Sequence, residues 1–289
     1  MASQLTPFLL ENLGVRGAIV EFDDGIDAMF GARPYPADVR KLLAHAVAAM
    51  PLLQANTGFE GRMSLQFRGE GAVKLLVAQL EGQGQVRGMA KCDDDAHGDL
   101  QTLLKGGMLG LLLEPAHSDQ NYQAIVGIEG DNLAQALEHY YARSEQIPTV
   151  MRLAAAHGRI HGMVLQRLPL GEKNSSENNW EHARALFATL GEAELAEHGA
   201  MTLLHRLFHA EDLRVFDAQA LALSCHCSRQ SIGIMLLSLG DDELEDHLKT
   251  HGRFDVTCEF CGAQYPFSAD DIATLQLHAR TQPSNTTRH

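Results

Sequence analysis

Four of the five cysteines of this 289-residue chain fall in its last quarter as two clips, Cys225-x-Cys227 and Cys258-x2-Cys261, with thirty residues between them; Cys92 stands alone. This spacing constrains the local fold more than any hydrophobic pattern does. A tetrahedral Zn²⁺ with Zn–S near 2.3 Å holds its sulfurs roughly 3.8 Å apart, so the two clips must meet in space. The N-terminus, Met1-Ala2-Ser3-Gln4-Leu5-Thr6-Pro7, shows no basic segment followed by an apolar core, which predicts a chain without a secretory signal, in the cytoplasm. There ordinary thiols stay reduced, and the clips predict a metal site rather than a disulfide framework. Four thiolates leave no open ligand position, so such a site is not hydrolytic.

The residues around the clips predict a small module. Phe254 to Thr257 and Gln264 to Phe267 flank Cys258-Glu259-Phe260-Cys261-Gly262. They read as a β-hairpin with the metal knuckle at its tip and Gly262 free to take positive φ. Ser268 and Asp271 then cap a helix carrying Ile272 and Leu275. Ser228 reads as the N-cap of another helix, with Ile232, Met235, Leu236 and Leu239 inward and an end at Gly240. Cys225 and Cys227 therefore lie near a helix N-terminus, where the dipole favours thiolate. The plainer role for such a site is a staple that lets a segment with a small core fold. The close Cys-x-Cys clip also permits oxidation to a strained, readily reversible disulfide, so a redox switch is compatible with the spacing. Zinc contributes on the order of 10 kcal/mol to modules of this kind, and its loss should unfold them.

The remainder reads as an α+β chain. Val39, Leu42, Leu43, Ala46, Val47 and Met50 follow Pro36 at helical spacing and predict a helix with Pro in its first turn and one buried stripe. Met63 to Phe67, Val73 to Ala78 and Val86 to Ala90, separated by Gly69-Glu70-Gly71 and Gly82-Gln83-Gly84, predict an antiparallel meander. Tyr122 to Ile128, Val150 to Ala155 and Gly162 to Leu168 are further strands, and Leu133, Leu137, Tyr140 and Tyr141 mark a helix. The polar run from Gly171 to Asn179 marks a boundary. Beyond it come short amphipathic helices: one capped by Asn178 with Glu181, carrying Trp180, Ala183, Phe187 and Leu190; one over 193–197; and one with Met201, Leu204, Leu207 and Phe208. Helices this short need something to lean on. The expected organisation is an α+β core over 1–170, a helical linker over 171–224 and a zinc-binding domain over 225–289. If the zinc domain unfolded, the linker would lose a neighbour, and the faces of Trp180, Phe187, Leu204, Leu207 and Phe208 would be free to take apolar segments of other proteins or a second copy of the chain.

Several long stretches carry a family resemblance in the same order: RPYPADVRKLLAHAVAAMPLL, FEGRMSLQFRGEG, YQAIVGIEGDNLAQALEHYYARSEQIPT, VLQRLP, LHRLFHAEDLRVFD, and CHCSR with SLGDDELEDHL and DVTCEFCGAQYPF. The chain resembles the 33 kDa chaperonins, the redox-regulated heat-shock holdases of bacteria, over nearly its whole length. The resemblance implies an α+β substrate-binding core, a helical linker and a C-terminal zinc domain. It implies that Cys225, Cys227, Cys258 and Cys261 bind one Zn²⁺ in the reduced, inactive form. It further implies that oxidation pairs Cys225 with Cys227 and Cys258 with Cys261, releases zinc and unfolds the linker. A homodimer that holds unfolding clients without ATP would follow, with no enzymatic activity. One departure is His157-Gly158-Arg159-Ile160-His161-Gly162, bulkier than the glycine-rich approach usual there, and His226 stands between the first two cysteines without being needed as a ligand.

Other features have plainer readings. With 23 Lys+Arg against 37 Asp+Glu, the formal charge is −14, which opposes nucleic-acid or anionic-membrane binding. The longest apolar runs fall far short of the roughly 20 residues of a membrane span. Cys92, followed by Asp93, Asp94 and Asp95, should resist thiolate formation. The fifteen histidines are scattered without ligand spacing and read mostly as surface residues. The Gly82 to Gly88 segment is a turn rather than a phosphate loop, and no P-loop is present, so nucleotide has no evident role. Two rival functions carry over from the clips: a zinc-ribbon nucleic-acid module, disfavoured by the acidic balance, and a thiol–disulfide oxidoreductase. The second would want Cys258 and Cys261 at a helix start.

Overall fold

The computed structural model describes residues 3–281 except 31, 32, 56, 58, 83, 119, 170, 172 and 173. Gln83 of the expected glycine turn, Glu172 and Lys173 of the polar boundary, and the extreme ends of the first and last expected domains lie outside the described residues. The chain divides into two units, Met1–Ser224 and Cys225–His289.

In the first unit, β1 (Gln4–Leu10) and β2 (Val15–Phe22) pair as a hairpin, followed by α1 (Ile26–Phe30) and α2 (Ala37–Ala55). The expected meander is β3 (Gly61–Arg68), β4 (Val73–Glu81) and β5 (Gln85–Cys92). After α3 (Leu100–Leu104), β6 (Met108–Pro115) returns beside β3, and β7 (Tyr122–Gly127) beside β6. Helix α4 (Leu133–Tyr140) runs into a π-helical turn, Tyr141–Glu145. Strands β8 (Thr149–Ala156) and β9 (Arg159–Arg167) are joined by His157 and Gly158 at φ 52° and 72°. That two-residue turn with both φ positive suits the strand twist, and it explains why this approach tolerates a histidine. Three helices follow, α5 (Glu177–Ala188), α6 (Glu192–Glu197) and α7 (Ala200–Phe208). The short strands β10 (Leu213–Val215), β11 (Gln219–Ala220) and β12 (Ala222–Leu223) complete the unit.

Among the described residues one sheet has the order β10-β1-β2-β9-β8, with β11 also on β1; the other has the order β12-β5-β4-β3-β6-β7. All pairings are antiparallel except β12 on β5. Helix α2 lies between the sheets, against β2, β8 and β9 of one and β3, β4 and β5 of the other. It is buried without a break from Leu42 to Leu53, so the expectation of a single buried stripe is corrected. A helix covered on opposite sides by two sheets is apolar all round. Pro36 lies just before the first turn, its carbonyl accepting from Arg40 N–H at 2.8 Å. Glycines in the strands admit the helix: a Cβ at Gly88 would stand 2.8 Å from Leu43 Cδ1, and one at Gly162 would stand 2.9 Å from Leu52 Cδ1.

The opposite face of the first sheet carries the second core. Phe8, Val15, Ile19, Met163 and Leu165 pack with Trp180, Phe187, Leu195, Leu203, Leu204, Leu207 and Phe208 of α5, α6 and α7. The surface that the short helices needed is thus the back of the β1–β2–β9–β8 sheet. The N-cap of α5 is Ser176, not Asn178: Ser176 is extended and its Oγ accepts from Asn179 N–H at 3.2 Å.

The second unit holds α8 (Arg229–Leu237), α9 (Asp241–His251), β13 (Arg253–Thr257), β14 (Gln264–Ser268) and α10 (Ala269–Thr281). Strands β13 and β14 form the expected hairpin, with Phe254 opposite Phe267. The buried apolar cluster is Leu236, Leu244, Phe254, Phe267 and Ile272. Met235 and Leu239, expected inward, are 48% and 44% exposed. The inward face of α8 is instead Ile232, Gly233 and Leu236; a Cβ at Gly233 would stand 2.9 Å from Leu275 Cδ1, and α8 ends before Leu239 is reached. Helix α9, not anticipated, begins with Asp241, Asp242 and Glu243, ends with Lys249 and His251, and stops at left-handed Gly252. Among the described residues no helix is long and apolar enough to cross a membrane.

Candidate metal centre

The first clip precedes α8. Ser228 caps that helix reciprocally with Ser231, each side chain meeting the other's backbone N–H, so Cys227 is fixed one residue before the cap. The second clip is the tip of the β13–β14 hairpin. Gly262 N–H donates to Cys258 O at 2.9 Å and Cys258 N–H to Ala263 O at 2.8 Å, with Gly262 at φ 72°. This tight turn aims the amides of Cys261 and Phe260 at the Cys258 sulfur.

The four sulfurs lie within 4.8 Å of one another. Cys225 Sγ is 3.6 Å from Cys258 Sγ, and Cys227 Sγ is 3.2 Å from Cys261 Sγ. Each short contact thus joins one clip to the other, and all four are free thiols rather than disulfides. The cluster is close to the ~3.8 Å sulfur spacing of a tetrahedral thiolate site, so the donor set and the geometry both fit a single Zn²⁺-sized ion. Among the described residues no carboxylate or histidine joins this cluster, and His226 is exposed.

Charge is shared unequally. Burial works against the Cys258 thiolate, but the amides of Cys261 and Phe260 and the thiols of Cys225 and Cys227 outweigh it, and its pKa falls to about 7. Burial and the neighbouring sulfurs push Cys261 up to about 12, and burial also raises Cys225. Cys258 is therefore ready to be a thiolate, while Cys225 and Cys261 hold their protons more tightly until a metal displaces them. Cys92 lies in the first unit on β5, its thiol raised by burial and then by Asp93 and Asp94, which agrees with the sequence reading.

Two residues that support the clips had no assigned role in the sequence. The Tyr265 hydroxyl donates to Cys227 Sγ at 3.1 Å and lies 3.2 Å from Cys227 O; that bond and burial push the phenol up to about 12. Arg229 donates to Pro266 O at 2.5 Å, pairs with Asp271 at 3.0 Å and lies 4.3 Å over the Phe267 ring. It ties the start of α8 to the hairpin strand and to the start of α10. Tyr265 sits seven residues beyond Cys258 on the hairpin, a placement visible in the sequence; the reach of Arg229 across three elements was not.

Trp180, Phe187, Leu204, Leu207 and Phe208, the expected client surface, are all buried. In this arrangement they are a core, because the outer face of the first sheet covers them. Buried polar contacts reinforce the cover. Glu21 accepts from Ala200 N–H at 3.0 Å, at the start of α7, and from Gln4 Nε2 at 2.9 Å. His161 Nδ1 donates to Leu195 O of α6 at 2.8 Å, while its Nε2 lies 3.2 Å from Asp23, which also pairs with Arg159 at 3.3 Å.

Comparison with known proteins agrees with this architecture. The 33 kDa chaperonin of Chromobacterium violaceum is 38% identical over 275 residues, covering 94% of this chain and 93% of its own. That of Pseudomonas paraeruginosa is 38% identical over 295 residues, covering 100% and 99%. The crystal structure of the 33 kDa chaperonin (heat shock protein 33 homolog) of Thermotoga maritima superposes with a TM-score of 0.79 at 20% identity, over 96% of this chain and 99% of that one, and so shares the fold. With the Hsp33 protein family profile matching residues 3–268 as well, the chain belongs to the Hsp33 family.

Proposed function

We propose that the protein is a redox-regulated, ATP-independent holdase of the cytoplasm, which binds unfolding proteins under oxidative stress and catalyses no reaction. The observation that carries this reading is the convergence of four thiols within 4.8 Å in a unit whose buried apolar cluster is five side chains. A unit so small depends on a staple. Bound by Cys225, Cys227, Cys258 and Cys261, Zn²⁺ would keep the sulfurs as thiolates and add its binding free energy to folding.

The residues then define the switch. One peroxide takes two electrons from the two thiolates of each clip and, with two protons from solvent, becomes two waters, leaving the disulfides Cys225–Cys227 and Cys258–Cys261. A disulfide sulfur no longer serves as a thiolate ligand, so metal leaves and the second unit loses its staple. Coupling to the linker runs through the chain itself. Ser224 N–H donates to Val86 O at 3.0 Å, and the next residue is Cys225. The strap before it is held by pairings of three residues for β10 and two each for β11 and β12. Undocking of α5, α6 and α7 would bare Trp180, Phe187, Leu204, Leu207 and Phe208 for clients and for a second copy of the chain.

The test is zinc content and suppression of client aggregation on one sample: before peroxide, after it, and after thiol reductant. Reversible zinc loss with gained holding supports the proposal. Zinc retained with no holding under oxidant or mild heat leaves a structural staple and refutes it.

A further inference from the structure

We infer that the first unit contains a binding site for a small amphipathic carboxylate, in a cavity of about 320 Å³ between the two sheets beyond the C-terminal end of α2. The argument starts from strand alternation. Ala18 and Val20 of β2 and Val164 of β9 face α2 in the main core. On the same face, one cross-strand pair is polar: Arg16 opposite Gln166. Arg16 donates to Gln166 Oε1 at 3.0 Å. Arg16 Nε and Gln166 Nε2 are both buried and make no hydrogen bond of full geometry, the Tyr141 hydroxyl being the polar neighbour that interacts with both side chains, and Gln166 is 0% exposed. Among the described residues no carboxylate forms an ion pair with Arg16, and burial lowers its pKa. An uncompensated cation beside two unused N–H groups is costly unless an acceptor, best an anion, meets them.

The rest of the cavity matches a small acid with an apolar tail. Leu53, Met63, Leu111, Leu113 and Ile147 line it. The π-helical turn turns two consecutive aromatic residues toward it: Tyr140 and Tyr141 are both buried, with rings 5.5 Å apart and edge to face. Wide turns of this kind recur at functional sites because they re-aim side chains that an α-helix would splay apart. Glu145, at the exposed rim, accepts from the Tyr140 hydroxyl at 2.7 Å and does not contribute to the charge environment of Arg16. The carboxylate head belongs on Arg16 and Gln166, in a two-donor arrangement. The tail, about eight carbons for this volume, lies against the aliphatic wall.

The experiment is isothermal titration calorimetry of the full-length, reduced, zinc-loaded protein with sodium octanoate, with benzoate, octanamide and octyltrimethylammonium in parallel. A one-to-one site is expected for octanoate, weaker by about tenfold or more for octanamide and absent for the cation; benzoate binding comparably assigns the tail to an aromatic acid instead. Arg16→Met should abolish the octanoate heat. Leu113→Trp, which fills the wall and leaves Arg16 in place, should do the same, so a folding defect in one variant does not decide the outcome. No octanoate heat, equal affinity for octanamide, several sites per chain, or binding retained in both variants overturns the inference and leaves a cavity filled by water.

Discussion

Phe208→Ala separates the docking of the linker helices from the chemistry of the cysteines. Phe208 is fully buried, its ring 5.9 Å from that of Phe8 on β1, and its cluster joins only α5, α6 and α7 to the back of the first sheet. Truncating a buried phenylalanine costs about 3–5 kcal/mol. If that loss falls on docking, the undocked fraction rises by about two to nearly four powers of ten at fixed temperature. No cysteine is touched, so zinc stoichiometry should stay at one. The assay is hydrogen exchange in the reduced state, compared between α5–α7 and the α2 helix of the main core, with aggregation suppression on the same sample. Faster exchange confined to 177–223, with holding activity gained without oxidant, is expected. A uniform rise in exchange across α2, or local opening with no holding, would show that the buried faces of these helices are not what grips clients.

Cys258→Ser removes the thiol whose pKa falls to about 7; it should lower zinc content below stoichiometric and speed proteolysis of 225–281 without oxidant, whereas unchanged zinc and proteolysis would refute the staple argument. Glu21→Ala deletes the acceptor for Ala200 N–H and should weaken linker docking by about 1 kcal/mol, read as faster exchange at the start of α7. His45, nine-tenths buried on α2, has its pKa lowered to about 4, by burial first and then by Lys41. The unfolded chain therefore takes up this proton near pH 6.5 while the folded one does not, so stability is full above about 6.5 and falls as pH drops toward 4. The total is roughly 3 kcal/mol. Denaturant titrations across that range should show the slope, and His45→Leu should remove it.

The four-cysteine cluster was legible because its members come as local clips: spacing alone brings each pair together, and the hairpin and the Ser228 cap follow from residues next to them. Helices with a strong 3.6 period, such as α5 and α7, were equally plain. What escaped depended on partners distant in sequence. Strands β1 and β2 carry apolar residues on both faces, Val15 and Ile19 toward the linker helices and Ala18 and Val20 toward α2, so neither alternates hydrophobic with polar. Strands β10, β11 and β12 are two or three residues long and exist only because β1 and β5 offer a free edge. Helix α9, with Leu244 as its one buried residue, has almost no stripe to read. The histidines divide similarly: most are exposed, but His45 and His161 are buried by elements that no local pattern announces.

The strap from Leu213 to Leu223 crosses from one sheet to the other, lying on β1 through β10 and β11 and on β5 through β12. It therefore serves as selvage for two fabrics at once. Lifting it strips hydrogen-bond partners from the outer rows of a seven-residue strand and an eight-residue strand in a single event. Bare edges of this kind accept an extended segment of almost any sequence through its main chain. Opening would thus create two kinds of adhesive surface, a greasy one that prefers apolar side chains and a backbone one indifferent to them. When eleven residues lie down again the backbone edges are quenched, and the greasy faces follow only when α5, α6 and α7 dock back on the sheet.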